Sequence, residues 1–189
     1  MKVIFLDFDG VITTPHSHWH IDRSKVKLVK KICNETGARV VVSSSWRPRL
    51  DQSQSKIDAW KERRLPKELG DLVIGVTPSI GGARGCEIKA WLEHHPGIEE
   101  YVILNDDDDM LEEQLFRFVE TDFVCGLTNR EADLCISILN HIQPYNWIRL
   151  NFILRQRWRN KCQGLPNHNI EEAMKENAEK TKDWSVSVR

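Results

Sequence analysis

Hydrophobic and polar positions along the chain follow two alternating periods, which predict an ordered series of strands and helices. Continuous apolar runs, typical of strands buried on both faces, occur at 2–8, 39–43, 71–77, 101–104 and within 118–127. Apolar residues at helical spacing predict helices over 21–34, from Gly85 to the Pro-Gly pair at 96–97, and after the capping box at 128–131. Strands that alternate with helices indicate an α/β fold with right-handed crossovers and a mainly parallel sheet covered on both faces.

The alternating pattern stops near residue 141, which predicts a domain over 1–141 and a C-terminal extension over 142–189. Residues 145–161 of the extension contain five basic residues and no acidic one, interleaved with aromatic and aliphatic side chains. The apolar residues approximate a helical stripe, so we expect a helical extension packed on the same domain. The basic residues leave a second role open, contact with a nucleic-acid backbone.

Composition narrows the classes of protein. Apolar residues make up 40% and charged residues 29% of the 189 residues, and the net charge of −1 excludes a strongly basic nucleic-acid coating protein. Five cysteines without a C-x-x-C spacing disfavour a disulfide framework or structural zinc and favour a reducing compartment. No apolar run reaches the ~18 residues of a membrane span, and aspartates interrupt the first run too early for a signal peptide. We expect a soluble, cytoplasmic protein with no membrane partner.

Polar side chains follow three of the predicted strands. Asp7 and Asp9 end the first, Ser43 to Ser45 end the second, and the acidic run 106–109 ends the fourth. The carboxyl ends of parallel strands share one edge of the sheet, where ligands bind. Asp7 and Asp9 point the same way in an extended chain, so with the acidic run they would form an all-oxygen site suited to Mg²⁺. The alternatives are turn carboxylates and a solvated acidic loop.

Four motifs in order carry a family resemblance. "DFDGVI", "VVVSSSWR", "RGCEIKAWL" and "YVILNDDDDM" resemble the motifs of the haloacid-dehalogenase (HAD) phosphohydrolase superfamily. The finer pattern is similar to a small, uncapped branch found in RNA-repair proteins. The resemblance covers about residues 1 to 141 and implies a Rossmann-like fold of three layers.

The resemblance implies catalytic roles. Asp7 would be the nucleophile that forms an aspartyl-phosphate. Asp9 would be the general acid for the leaving oxygen and then the base for the attacking water. Ser43 or Ser44 would bind the phosphoryl oxygens, and Arg84 would neutralise the nucleophile and the phosphoryl group.

The resemblance also implies that Mg²⁺ is the cofactor. Its ligands would include Asp7, Asp9 and Asp106, with Asp109 in support and Asp107 as the next candidate. Asn105 stands where the family more often has an aspartate, which leaves the ligand register open by one position.

The substrate is expected to be bulky because neither insertion point holds a cap domain. Gly10 allows the backbone to approach a ligand closely, and the insert that follows contains His18 and Trp19, which are candidates for substrate contact. A zinc site built from His16, His18 and His20, or an ordinary polar loop, is the alternative. After the serines, Arg47 is a candidate for substrate phosphate and Arg49 lies nearby; a solvated turn is the other interpretation.

These observations favour a Mg²⁺-dependent phosphomonoester hydrolase whose partner is a phosphorylated nucleic-acid end or a nucleotide. A phosphatase of a small metabolite is the nearest alternative. A non-catalytic signalling module that binds Mg²⁺ is the second, disfavoured because its typical aspartate after the third strand is absent. An oligomer would be compatible with the uncapped site.

Overall fold

The computed structural model describes residues 1–48 and 53–142 and has a five-stranded sheet at its centre. The strands are β1 (Lys2–Leu6), β2 (Arg39–Val42), β3 (Val73–Val76), β4 (Glu100–Asn105) and β5 (Phe118–Glu120). They pair in the order β3-β2-β1-β4-β5, and every pairing between these strands is parallel. The predicted α/β class with a parallel sheet is confirmed.

Helices flank the sheet and connect its strands. They are α1 (Arg23–Thr36), α2 (Gln54–Arg64), α3 (Lys67–Gly70), α4 (Arg84–Glu93) and α5 (Asn129–Leu139), with short 3-10 helices at Pro15–Ser17 and Glu112–Arg117. Helix α1 begins after Asp22, whose side chain accepts the Ser24 amide, and ends at Gly37 with a φ of +73°. The capping box that opens α5 is present between Thr128 and Glu131.

The core lies on both sides of the central strand β1, whose last four residues have no solvent exposure. On one face Phe5 contacts the rings of Trp91 from α4 and Tyr101 from β4, both edge-on. Helices α1 and α5 pack against each other. This burial explains why the strand segments are continuous apolar runs.

Strand β1 is shorter than the apolar run predicts, because a tight turn replaces the ladder after Leu6. The Phe8 carbonyl accepts hydrogen bonds from the amides of Val11, Ile12 and Thr13 at 2.8 to 3.1 Å. The turn keeps Phe8 in the core while Asp7 and Asp9 stand at the edge of the sheet.

The two possible cap positions hold short loops. Residues 11–22, all described, contain one three-residue 3-10 helix, and residues 77–83, also described, contain no helix or strand. The absence of a cap domain agrees with the prediction. The extension over 142–189 lies outside the described residues apart from Ile142, so its helix, its packing and the domain boundary stay predictions. None of the helices in the described ranges has both the length and the apolar character needed to cross a bilayer.

Candidate active site

The carboxyl ends of the three central strands are held together by backbone hydrogen bonds. Beyond the ends of the β1 ladders, the Asp7 amide donates to the Leu104 carbonyl at 3.0 Å, and the Ser43 amide donates to Leu6 at 2.8 Å. This register places the aspartates after β1 between the serines after β2 and the acidic run after β4. The sheet therefore brings the three predicted motifs to one edge.

Asp7 is buried at the centre of this edge, with 8% of its surface exposed. Its Oδ1 accepts the Phe8 amide at 2.6 Å, its carboxyl is hydrogen-bonded to the Ser44 side chain, and Arg84 Nη2 lies 3.9 Å from its Oδ2. Burial raises the pKa of Asp7 from 3.8 to about 6, and the nearby Asp106 carboxyl adds to the rise, while Ser44, Arg84 and the Phe8 amide oppose it. A carboxylate held this way is poised to ionise near neutral pH.

The structure separates the roles of the two serines. Ser44 hydrogen-bonds Asp7 and lines the neighbouring cleft. The Ser43 hydroxyl is buried and accepts a hydrogen bond from the Thr77 hydroxyl at 3.2 Å. Of the two candidates, Ser44 is the one placed against Asp7.

Asp9 is fixed by two side chains. Trp46 Nε1 lies 3.1 Å from Oδ1 and 3.0 Å from Oδ2 of Asp9, and the Thr13 hydroxyl lies 2.8 Å from Oδ1. The sequence motif S-S-S-W-R contains Trp46, but its spacing gives no sign that the indole reaches a carboxylate on another strand. Trp46 is thus a site residue that sequence reasoning missed.

Gly10 lies directly against Asp106. Its φ is +69°, and a Cβ built on it would be 2.3 Å from Asp106 Cγ. The Gly10 amide donates to the Thr13 carbonyl and its carbonyl accepts the Thr121 hydroxyl, both at 2.8 Å. Both backbone groups are engaged, and the lack of a side chain at Gly10 makes room for Asp106.

The members of the acidic run lie in different places. Asp106 is half-buried beside Gly10, and burial raises its pKa, assisted by the charges of Asp107 and Asp9. Asp107 is exposed, and its amide donates to the side chain of the buried Asn105. Asp109 accepts the Arg84 amide at 2.7 Å through Oδ2, and its carbonyl accepts the Gly85 amide. Asp109 therefore caps helix α4, whereas Asp106 is the residue of this run whose charge acts on the nucleophile candidate.

A buried glutamate connects two arginines beside Asp7. Glu87 Oε2 lies 2.6 Å from Arg47 Nη2 and 3.0 Å from Arg84 Nη1, and Glu87 is 5% exposed. Arg47 also donates to the carbonyls of Ser44 and Pro78. Burial lowers the pKa of Arg47, and Glu87 opposes that change. Glu87 was missed from the sequence, although its position three residues after Arg84 in a helix was a usable signal.

The arginines border a cleft of about 240 Å³. Its other lining residues include Ser44, Ser45, Ser79, Gly82 and Asp109. The Nε–H groups of Arg47 and Arg84 are buried and have no acceptor among the residues that the structure describes. Buried donors without acceptors are costly, and the cleft beside them suits an anionic ligand.

The loop after Gly10 and the loop after β5 together present an exposed aromatic pair. His18 and Trp19 both have positive φ values, 50° and 61°, and the Trp19 ring lies 5.4 Å from that of Phe123. Trp19 is 43% and Phe123 48% exposed. Positive φ is rare for a bulky residue, and such strain collects at functional sites.

The described ranges contain no group of three His, Cys, Asp or Glu side chains that could hold a metal by themselves. The alternating histidines, all exposed, therefore form no zinc site. The donors at the strand edge still fit Mg²⁺, which takes oxygen ligands and needs only one or two carboxylates beside water and substrate. Asp7 and Asp106 fit such a site: burial raises the pKa of Asp7, the charge of Asp106 adds to that rise, and a cation would offset both effects.

A comparison with known protein families supports the site described at this edge of the sheet. The model of the HAD domain in Swiss Army Knife RNA repair proteins matches residues 3–132, more than half of the chain. The chain belongs to this family. Its membership confirms the HAD resemblance and indicates a phosphohydrolase-type function. No curated protein and no solved structure gave a match.

Proposed function

We propose that the chain is a Mg²⁺-dependent phosphomonoester hydrolase that acts through an aspartyl-phosphate on Asp7. The observation that carries this proposal is the placement of Asp7 at the end of the central strand, in contact with Ser44 and 3.9 Å from Arg84. With a pKa of about 6, most Asp7 is ionised at pH 7 and able to attack phosphorus.

The first step is transfer of the phosphoryl group to Asp7. A carboxylate oxygen of Asp7 forms a bond to phosphorus while the bond from phosphorus to the ester oxygen breaks. Protonated Asp9 gives its proton to that leaving oxygen, so an alcohol departs. Ser44 and the Arg84 guanidinium would bind the phosphoryl oxygens. The buried Arg84 Nε–H group would thereby gain a hydrogen-bond acceptor.

The second step regenerates the enzyme. Asp9, now ionised, takes a proton from a water molecule that attacks phosphorus, and the bond to the Asp7 oxygen breaks to release phosphate. Mg²⁺, when bound by Asp7 and Asp106, would neutralise charge on the phosphoryl group in both steps. The Trp46 N–H and the Thr13 hydroxyl contact the Asp9 carboxyl and would orient it for both proton transfers.

The proposed substrates are phosphorylated nucleic-acid ends or nucleotides. Three features support this choice: the described loops 11–22 and 77–83 hold no cap domain, the exposed Trp19–Phe123 pair stands on loops after β1 and β5, and the family is described from RNA repair proteins. The Thr121 hydroxyl donates to the Gly10 carbonyl at the site. Phe123 follows Thr121 by two residues, which span at most about 7 Å of chain. A base next to the reacting phosphate could stack on this pair. We further propose a cytoplasmic location, in line with the unpaired cysteines 33, 86, 125 and 135.

The alternative substrate is a small metabolite phosphate, which the limited cleft volume of about 240 Å³ favours. The test is phosphate release with Mg²⁺ from matched oligonucleotides carrying a 3′-phosphate or a 5′-phosphate, from mononucleotides and from sugar phosphates. Asp7→Asn is the matched control because it keeps the shape of the side chain. Release from oligonucleotide ends that Asp7→Asn abolishes supports the proposal, and release from small esters alone selects the alternative.

A further inference from the structure

The Trp46 indole reaches both oxygens of Asp9. Its N–H lies 3.1 Å from Oδ1 and 3.0 Å from Oδ2, so a single donor is shared across the carboxyl group. An indole N–H only donates, so this contact has one direction. The χ2 torsion of an aspartate, which turns the carboxyl group, normally has a broad distribution. A donor placed midway between the two oxygens restricts that rotation.

Trp46 is itself held in place from three sides. Its amide donates to Ser44 Oγ at 3.3 Å, and its carbonyl accepts Trp60 Nε1 at 3.0 Å. The Phe8 ring packs near both indoles, with its centroid 5.6 Å from that of Trp46 and 6.4 Å from that of Trp60. Phe8 lies between Asp7 and Asp9 in the chain, so the indole is built into the turn that presents both carboxyls.

The two oxygens of Asp9 have different surroundings. Thr13 Oγ1 lies 2.8 Å from Oδ1, with the Phe8 carbonyl 3.0 Å away as its other partner. In either orientation of its proton, this hydroxyl group blocks the approach of a substrate to Oδ1. Among the described residues Oδ2 receives only the shared Trp46 N–H. Oδ2 is the more open oxygen.

We propose that Trp46 is a positioning residue that fixes the Asp9 carboxyl so that Oδ2 faces the leaving oxygen. This inference rests on the proposed function, in which Asp9 transfers the proton. Trp46 touches no reacting atom. It acts through Asp9 alone, which gives it a measurable effect that a purely structural tryptophan lacks.

The test compares two phosphate esters that differ in their need for a proton. The leaving group of an alkyl phosphate is a strongly basic alkoxide unless it is protonated as it departs. The leaving group of p-nitrophenyl phosphate is a stable phenolate that needs no proton. Trp46→Phe keeps an aromatic ring but removes the N–H. We compare kcat/KM, which reports the first step alone, because Asp9 also acts as the base in the second step that both esters share. We expect kcat/KM for the alkyl ester to fall about 10- to 100-fold, within the usual contribution of general acid catalysis. For p-nitrophenyl phosphate we expect kcat/KM to change by less than about threefold, because its leaving group needs no proton.

Two further variants make the result specific. Trp91→Phe is the matched control, since Trp91 is a buried indole that packs on Phe5 and His95 away from Asp9. It should leave the ratio of the two rates as in the wild type. Thr13→Val removes the other side-chain contact of Asp9 and should lower the alkyl rate selectively, which gives a second test if Trp46→Phe does not fold.

The outcomes separate the inference from the proposed function. A selective loss with the alkyl ester in either variant of the Asp9 contacts supports the positioning role. An equal loss with both esters, or no loss, in the presence of an active wild type overturns that role and leaves the phosphatase standing. A wild type that releases phosphate neither from these esters nor from the oligonucleotide, mononucleotide and sugar-phosphate panel overturns the proposed function and this inference together.

Discussion

Gly10 and Asp106 are in such close contact that a Cβ on residue 10 would lie 2.3 Å from the Asp106 Cγ. Gly10→Ala therefore forces Asp106 to move and also places alanine at a φ of +69°. We expect a loss of about 2 to 4 kcal/mol of unfolding free energy and a weaker response to Mg²⁺. Thermal unfolding and urea unfolding measure the first effect.

Two other glycines serve as controls for this substitution. Gly37 has a φ of +73° with nothing within 4 Å, so Gly37→Ala measures the backbone strain alone. Gly97 has neither feature, and Gly97→Ala should change stability by less than about 1 kcal/mol. If Gly10→Ala costs no more than Gly37→Ala, the contact with Asp106 is not the cause.

Glu87 is expected to be essential for stability because it neutralises two guanidinium groups in a buried place. Glu87→Gln keeps the shape but leaves Arg47 and Arg84 without their shared carboxylate. Loss of one partner from a buried ion pair costs about 3 kcal/mol or more, and urea unfolding should show a decrease of that size. Glu93→Gln, an exposed change in the same helix, should be nearly neutral. Equal stability of the two variants would refute the buried network.

The raised pKa of Asp7 predicts a pH dependence of stability in metal-free solution. The native carboxyl keeps its proton up to about pH 6, while in the unfolded chain it ionises near the usual 3.8, so the native state binds more protons between these values. Stability should therefore fall as the pH rises from about 4 to about 6, by up to about 3 kcal/mol from this group.

Asp7→Asn supplies the control for that fall, because an amide does not titrate. In urea unfolding with EDTA, the difference in stability between Asp7→Asn and the wild type should grow from pH 4 to pH 6.5 in favour of the variant. A wild type whose stability rises over this window in parallel with the variant would show that Asp7 is not destabilised in its ionised form.

Much of the fold follows from local patterns, and part of the site does not. The strands around Phe5 and Val102 are visible as apolar runs because a parallel sheet buries both faces. Asp7 and Asp106 are predictable neighbours because parallel strands end at one edge. The contact of Trp46 with Asp9 spans 37 residues and that of Arg47 with Glu87 spans 40, and each depends on a loop conformation that no residue periodicity encodes.

The same reasoning separates the serines and the acidic residues. A run of three serines leaves the register open, and Ser44 is selected over Ser43 only by the way the chain turns after β2. Asp109, a predicted supporting metal ligand, also satisfies the first amide of α4 through its Oδ2, because the preceding Ala83 offers no side-chain cap. Long-range geometry, not residue type, decides these positions.

Mg²⁺ binding should depend on Asp106 far more than on Asp107. Asp106 lies against Gly10 beside the nucleophile, whereas Asp107 is exposed. A ligand that binds only the folded state raises its stability, so Mg²⁺ should raise the melting temperature of the wild type. Asp106→Asn should remove most of this response and Asp107→Asn little of it. A larger loss of the Mg²⁺ response in Asp107→Asn than in Asp106→Asn would identify Asp107 as the metal ligand instead.

Trp19 is expected to contribute to substrates that carry a base. Stacking on an aromatic side chain is worth about 1 to 3 kcal/mol per base, so Trp19→Ala should lower kcat/KM for an oligonucleotide end about tenfold. The rate with a small alkyl phosphate should not change. Phe116→Ala is the control, since this exposed residue precedes β5 while Phe123 follows it. Equal losses for both substrates would argue against stacking.

The most direct test of the account is to trap the phosphoryl group on Asp7. The protein is mixed with a radiolabelled substrate from the phosphate-release panel, quenched in acid during turnover, and digested for peptide mapping. The account predicts a label on the peptide that contains Asp7, released by hydroxylamine as acyl phosphates are, and absent from Asp7→Asn. Phosphate release at full rate by Asp7→Asn, or a label elsewhere that resists hydroxylamine, would contradict it.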